Sequence, residues 1–249
     1  MRIPRIYTSQ NLREHSLLIL EPEQSRHLSR VLRLKPGASL YLFDGSGRDF
    51  VARITTVIKS RVELSVQTAG SPEPSPPLAI RLLLGISKGE RMDYALQKSV
   101  ELGVQELVPL FTEHTVVKLD QARVARRLEH WRKILIGACE QSGRRRLPIL
   151  AAPQDLNRQL EEETEGLRLV LDAGAAASPA ELGPPGPRVS LLVGPEGGLS
   201  ERELQTAGAA GFTPVRLGPR ILRTETAPLA AIAAIQALWG DFGPADSSG

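Results

Sequence analysis

At 249 residues, 41% hydrophobic and 24% charged, the chain has the composition of a soluble globular protein with a real core, and no apolar run is long enough to cross a bilayer. Its net charge of +3 divides unevenly: residues 1–76 carry 11 Lys+Arg against 7 Asp+Glu, the rest 20 against 21, so a modest basic excess sits in the N-terminal third. A single cysteine, Cys139, excludes an internal disulfide and a cysteine-cluster metal site, and Met1-Arg2-Ile3-Pro4-Arg5 lacks the apolar core of a signal peptide, which makes the cytoplasm the expected location.

In chain order, residues 16–20, 39–43, 50–57 and 61–67 alternate in the manner of strands, and Asp44-Gly45-Ser46-Gly47-Arg48 is a hairpin turn between two of them. Residues 22–32 read as a helix, because His27, Leu28, Val31 and Leu32 recur at helical spacing, with Arg26, Arg30 and Arg33 close by. A small β-barrel-like domain with one helix is the expected product. Ala69-Gly70-Ser71-Pro72-Glu73-Pro74-Ser75-Pro76-Pro77 is too proline-rich to pair in a sheet and reads as an extended linker.

Past the linker, strands and helices alternate. Residues 78–86 form a nearly continuous apolar run, as in a strand buried on both faces. Residues 90–102 are an amphipathic helix closed by Gly103, suited to a left-handed cap. Short strands are expected at 106–111 and 115–119, then a longer helix at 121–141 with Arg123, Arg126, Arg127 and Arg132 outward. Residues 167–172 make another strand, and 174–188, rich in Ala, Gly and Pro, an irregular connection. Ser200-Glu201-Arg202-Glu203 is a capping box that starts a helix. The final helix, Ala227–Trp239, is so apolar on all sides that it must be buried in a core or against another subunit. The expected organisation is a domain over 1–70, a linker over 71–77, an α/β domain over 78–242 and a flexible tail over 243–249.

Two glycine-bearing turns each follow an apolar run. Residues 189–193 lead into Gly194-Pro195-Glu196-Gly197-Gly198, and Pro214-Val215-Arg216-Leu217-Gly218 leads into Pro219-Arg220-Ile221-Leu222-Arg223-Thr224-Glu225-Thr226-Ala227-Pro228. In α/β sheets small ligands sit beyond the carboxyl ends of strands, and glycine lets the backbone approach them closely. Neither turn has the spacing of a phosphate loop or a dinucleotide fingerprint, and Gly85-Ile86-Ser87-Lys88-Gly89 only superficially resembles one. As a lone motif the first turn is as often a plain strand-to-helix bend, but Glu196 at its tip favours a site for a cation or a proton. In the second, Thr226 can cap the final helix and Pro228 fits its first turn. Capping does not account for Arg220, Arg223 and Glu225 beside so apolar a helix, where unpaired charge is costly.

Glu140, Gln141 and Arg144 form a third polar group, while Arg145 and Arg146 are explained by the preceding helix dipole. Cys139 has no histidine near it and reads as small core filling. His15, His27, His114 and His130 are scattered, so no metal is expected.

Taken together, Leu84-Gly85-Ile86-Ser87-Lys88-Gly89-Glu90-Arg91-Met92-Asp93, Lys98-Ser99-Val100-Glu101-Leu102-Gly103-Val104, Glu140-Gln141-Ser142-Gly143-Arg144 and the two glycine turns resemble the RsmE-type small-subunit ribosomal RNA uridine-N3 methyltransferases of the SPOUT class. The likeness extends to His27-Leu28-Ser29-Arg30-Val31-Leu32-Arg33 and Gly37, and so spans almost the whole chain except 174–188 and the tail. It implies a PUA-like RNA-binding barrel followed by an α/β trefoil-knot domain, an obligate homodimer, and S-adenosylmethionine bound in the knot. The reaction would be direct attack of uridine N3 on the sulfonium methyl carbon in small-subunit (16S) rRNA, on the assembled subunit.

On this resemblance the cofactor residues are Leu192, Val193, Gly194, Pro195, Gly197 and Gly198 from the first turn, with Leu217, Gly218, Ile221, Leu222, Thr224, Glu225, Thr226 and Ala227 from the second. Arg144 and Arg223 would stabilise charge on the uracil, and Glu196 is the first candidate for proton acceptor, ahead of Glu225 and Glu140. The expected phosphate contacts are Arg2, Arg5, Arg26, Arg30, Arg33 and Lys35, extended by Arg123, Arg126, Arg127 and Arg145. Two other readings stay open: a ribose 2′-O-methyltransferase of the same fold, and a non-catalytic rRNA-binding assembly factor that would not bind S-adenosylmethionine.

Overall fold

The computed structural model describes residues 3–59, 61–116, 121–162 and 165–243. The chain separates into two compact units, Met1–Pro74 with Ile136–Leu147, and Ser75–Leu135 with Pro148–Gly249. Ile136–Leu147, which the sequence reading placed in the second domain, is therefore grouped with the first.

The first unit is a five-stranded sheet, β1 (Arg5–Tyr7), β2 (Leu17–Ile19), β3 (Ser39–Phe43), β4 (Phe50–Ile58) and β5 (Arg61–Ala69), ordered β1-β3-β4-β5-β2. β1 runs parallel to β3, and the other pairs are antiparallel. Leu40, Leu42, Ala52, Ile54, Val62 and Leu64 alternate inward along β3, β4 and β5 and form its core with Leu28. The expected helix at 22–32 is shorter and changes character. After α1 (Pro22–Arg26) the chain widens into a π-helical turn over His27–Val31, with Leu32 N–H donating to His27 O at 3.0 Å. The extra residue per turn rotates the expected apolar face: Leu28 is fully buried, but Val31 is 67% exposed.

The second unit holds β6 (Ala79–Gly85), β7 (Glu106–Phe111), β8 (Ile149–Leu150), β9 (Gln154–Asp155), β10 (Leu167–Leu171), β11 (Arg188–Val193) and β12 (Thr213–Val215) in one parallel sheet. The order is β12-β10-β11-β6-β7-β8, with β9 also on β7. Its helices are α2 (Glu90–Glu101), α3 (Gln121–Ser142, whose last two turns, from Ile136, fall in the first unit), α4 (Leu156–Leu160), α5 (Glu201–Ala209) and α6 (Ala227–Trp239). Thr115 and Val116 form no strand, and the rest of that expected strand, 117–119, lies outside the described residues.

Three local devices fix the elements around the sheet. Gly103, at φ +89°, ends α2, and a Cβ there would lie 2.7 Å from Gln236 Nε2; that amide, buried on α6, donates to Leu102 O at 2.9 Å. The Ser200 capping box forms as expected, with Ser200 N–H donating to Glu203 Oε2 at 2.8 Å. The other oxygen of this buried carboxylate accepts Glu113 N–H at 2.8 Å, tying the start of α5 to the loop after β7. α6 buries Pro228, Ala231, Ile232, Ile235 and Gln236 on one side only, while Leu238 remains 43% exposed. No described helix is long and apolar enough to cross a membrane.

Candidate active site

β10 lies between β11 and β12, so the two glycine turns leave the sheet on either side of the β10 end. The first turn folds back on itself. Gly198 N–H donates to Pro195 O at 2.9 Å, Gly198 sits at φ +70°, and a Cβ on Gly194 would lie 2.7 Å from the Gly198 carbonyl carbon. Neighbouring strand ends press on it as well: a Cβ on Gly85 would be 2.5 Å from Pro195 Cδ, and one on Gly197 would be 2.9 Å from His114 Cβ. Gly194 is thus required by close packing of backbone on backbone, Gly85 by the Pro195 ring and backbone, and Gly197 by the His114 side chain.

The second turn is held by hydroxyls. Thr224 Oγ1 lies 3.1 Å from the buried Ser87 Oγ and donates to Gly194 O at 3.4 Å, joining the ends of β6 and β11 to the segment before α6. Between the turns is a cavity of about 210 Å³, several times the roughly 30 Å³ share of a liquid water, so it has room for a small organic ligand. Val193, Gly194, Pro195 and Gly198 line it from the first turn; Leu217, Gly218, Ile221 and Leu222 line it from the second, with Thr224 and Ala227. The walls are mostly apolar with a few polar groups, the usual make-up of a small-molecule site.

Glu196 lines the cavity too, but its carboxylate is already engaged. Oε1 accepts Lys88 N–H at 2.9 Å and lies 3.4 Å from Arg91 Nη1. Burial pushes this carboxyl upward, yet the backbone N–H groups of Lys88 and of Glu196 itself, with the Arg91 guanidinium, outweigh it and hold it below the ordinary carboxylate value. Arg91 also stands 4.0 Å from Glu225 Oε2, a buried oxygen without a hydrogen bond.

An RNA methyltransferase domain model matches residues 74–236, and an RNA methyltransferase PUA domain model matches residues 20–67. A ribosomal RNA small subunit methyltransferase E of Buchnera aphidicola is 35% identical over 97% of this chain and 98% of its own. The chain belongs to the ribosomal RNA small subunit methyltransferase E family. The solved member from Neisseria gonorrhoeae, bound to S-adenosyl methionine, is 42% identical with a TM-score of 0.91, covering 97% of this chain and 100% of that one. A methyltransferase of Legionella pneumophila, solved with bound SAM, is 40% identical with the same score and coverage. The family fold, a PUA domain with an α/β methyltransferase domain, is the one the sequence led us to expect.

Within this family frame, several expected residues fall away from the cavity. Leu192 is fully buried in the core with Leu83, Val108 and Val170, one residue out of phase with the cavity-lining Val193. Gly197 packs on His114, Glu225 faces Arg91, and Thr226 occupies the cap position of α6 without a capping bond from its side chain. Arg223 is exposed in the turn, and its carbonyl accepts the N–H groups of Thr226 and Ala227. Sequence reasoning missed Leu171, Asp172, Ala173, Leu199 and Arg216, which also line the cavity, and Ser87, which anchors it. The signal for Asp172 was present: it is the first polar residue after an apolar strand.

In the first unit, Glu140 Oε1 accepts Tyr7 N–H at 2.9 Å, and Arg5 Nη2 donates to Arg144 O at 3.2 Å. Burial raises the Glu140 carboxyl against the lowering effects of the Tyr7 N–H, His27 and Arg5. Arg5 also pairs with Asp49 and lies 5.2 Å over the Phe43 ring, leaving its side chain only 12% exposed. Arg145 shares Asp49 at 3.1 Å and donates to Ser71 O at 2.8 Å. Arg26 at the end of α1, Arg30 on the π-helical turn, and Arg33 and Lys35 after it are exposed, as are Arg123 and Arg126 on α3 in the second unit, where Arg127 is half-buried. Arg2 lies outside the described residues.

Proposed function

We propose that the chain methylates N3 of a uridine in small-subunit ribosomal RNA, with S-adenosylmethionine held in the cavity between the two glycine turns. The observation that carries this is the cavity itself: bare backbone at Gly194, Gly198 and Gly218 faces apolar walls at Val193, Leu217 and Leu222. That set fits a nucleoside with a flat aromatic base, since backbone groups can meet the polar base edge while the apolar side chains cover its faces and exclude water.

When bound, S-adenosylmethionine supplies a methyl group already activated by its positive sulfur. The task left to the chain is alignment of uracil and donor, together with handling the N3 proton. Loss of that proton spreads negative charge over the ring oxygens, and we assign its stabilisation to Arg223 and Arg144. Glu196 fits the part of proton acceptor poorly, because its carboxylate is held low and engaged by Lys88 and Arg91. Its fitting role is to order the turn. Measuring Glu196→Gln turnover across pH tests this: a profile of unchanged shape is expected, and loss of an acid limb would restore Glu196 as the base.

For the RNA we assign residues 1–70 as the binding domain, with Arg26, Arg30, Arg33 and Lys35 as phosphate contacts. Arg5, turned into its pair with Asp49, has a structural part instead. Binding should weaken steeply with salt. We further infer a homodimer and a knotted C-terminal segment in residues 78–242, in keeping with the partly uncovered face of α6. Calorimetry with S-adenosylmethionine and mass mapping of nucleosides from treated small subunits test the whole reading. Absence of binding would favour a non-catalytic assembly factor, and a methylated ribose would favour 2′-O transfer.

A further inference from the structure

Asp172 is the first residue beyond β10, and its N–H donates to Val215 O at 3.0 Å, carrying the β10–β12 ladder one residue past the strand. Because β10 lies between β11 and β12, this residue stands between the two turns, and it lines the cavity between Leu171 and Ala173. The side chain is half-buried and held in place, with Oδ1 accepting Gly174 N–H at 2.8 Å. Among the described residues no ion pair engages its carboxylate.

A carboxylate at a cavity wall loses water when a ligand fills the space, which is costly unless donors from that ligand replace it. In dinucleotide-binding sheets an acidic residue at the carboxyl end of the strand beside the glycine-loop strand accepts from ribose hydroxyls; the turns here lack that fingerprint and β10 precedes β11 in the chain, so the likeness is one of position in the sheet alone. β10 stands in that relation to β11: adjacent, parallel and in register, with Val170 opposite Leu192. Glu196, the other carboxylate at the cavity, is taken up by Lys88 and Arg91. Arg216 lines the same cavity just past the end of β12, and Arg220 lines it from the second turn.

We propose that Asp172 is the ribose-recognition residue of this pocket, its carboxylate accepting hydrogen bonds from the vicinal hydroxyls of the bound nucleoside. The proposal rests on reading the cavity as the S-adenosylmethionine site. The competing donor on such a ligand is the ammonium of its amino-acid part, and the two make different demands on a truncated ligand.

Calorimetry on the full chain separates them, using S-adenosylhomocysteine, 5′-methylthioadenosine (the same nucleoside without the amino acid) and 2′-deoxy-5′-methylthioadenosine. Asp172→Ala should weaken the first two by the same factor, about tenfold or more, as for a lost hydrogen bond to a charged group. Wild type should lose a comparable factor on the deoxy compound, and Asp172→Ala should no longer distinguish it from the ribose form. Asp172→Asn, which keeps an acceptor for Gly174 N–H, repeats the test if the alanine variant does not fold. Weakened S-adenosylhomocysteine with untouched methylthioadenosine would assign the carboxylate to the ammonium and overturn the proposal, as would unchanged affinity for both. A wild type that binds none of these ligands would instead overturn the reading of the cavity, a result distinct from a wild type that binds but ignores the substitution.

Discussion

The hydroxyls of Ser87 and Thr224 lie 3.1 Å apart, although 136 residues of chain separate them, and through Thr224 the pair also reaches the Gly194 carbonyl. This bond holds the second turn against the first and so sets the width of the cavity between them. Thr224→Val keeps the side-chain shape and removes the hydroxyl. It should cost about 1 kcal/mol of stability and raise the KM for S-adenosylmethionine several-fold with a smaller change in kcat. Steady-state kinetics beside thermal unfolding would check both, and an unmoved KM would show that the turn is held by other contacts.

Glycines in the two turns should respond differently to alanine. At Gly194 the new Cβ would meet backbone atoms of Gly198 and Leu199 at 2.7 and 2.8 Å, and backbone cannot rotate away. Gly194→Ala should therefore abolish cofactor binding while circular dichroism stays close to native. Gly218 has open space around it, and only its φ of +72° opposes a side chain. Gly218→Ala should cost roughly 1–2 kcal/mol and leave binding measurable. Equal losses in the two variants would mean that local strain, rather than close packing within the first turn, governs the site.

What was legible in the sequence follows from how local its cause is. α6 spans Ala227–Trp239 as expected, with Pro228 in its first turn, and the Ser200 capping box forms because all its partners lie within four residues. β1, β8 and β9 have three residues or fewer, too short for any periodicity, and exist only through the strands they pair with. The turn at His27–Val31 defeated helical spacing because i→i−5 bonding moves Val31 outward. At the site, strands buried on both faces hide which residue faces the ligand, so Leu192 was expected in the lining together with Val193, and only Val193 is there. Asp172 is marked locally as the first polar residue after an apolar strand, but that it and Ser87 meet at one site follows from β10 and β6 flanking β11 in the sheet order, which no local pattern records.

Cys139 invites a nucleophilic reading that its surroundings oppose. The side chain is fully buried, and burial pushes the thiol up to about 11, with nearby Arg144 only partly offsetting it. A thiol with that value is almost wholly protonated at neutral pH and makes a poor nucleophile. Cys139→Ala should keep most of the wild-type kcat, at a stability cost of about 1 kcal/mol for the lost packing. Native protein should also react with thiol reagents only on the time scale of unfolding. Loss of activity with the fold intact would demand covalent chemistry.

Glu21 gives a pH signature for the first unit. Its carboxylate accepts Ser9 N–H at 2.9 Å and the hydroxyls of Ser9 and Thr8 at 2.9 Å each, pinning the turn after β1. Burial alone would raise its carboxyl. The bonds from its own backbone N–H, from the two hydroxyls and from Ser9 N–H together prevail and leave it below the ordinary value of 4.5. A carboxyl that is lower in the folded chain binds its proton more weakly there than when unfolded. Its contribution to stability is therefore complete above about pH 4.5 and is lost as the pH falls through the lower, folded value. Glu21→Gln should reduce the urea midpoint at pH 7 and flatten the fall in stability below about pH 4.5, relative to wild type. Parallel pH profiles for the two proteins would show that these hydrogen bonds do not favour the ionised form.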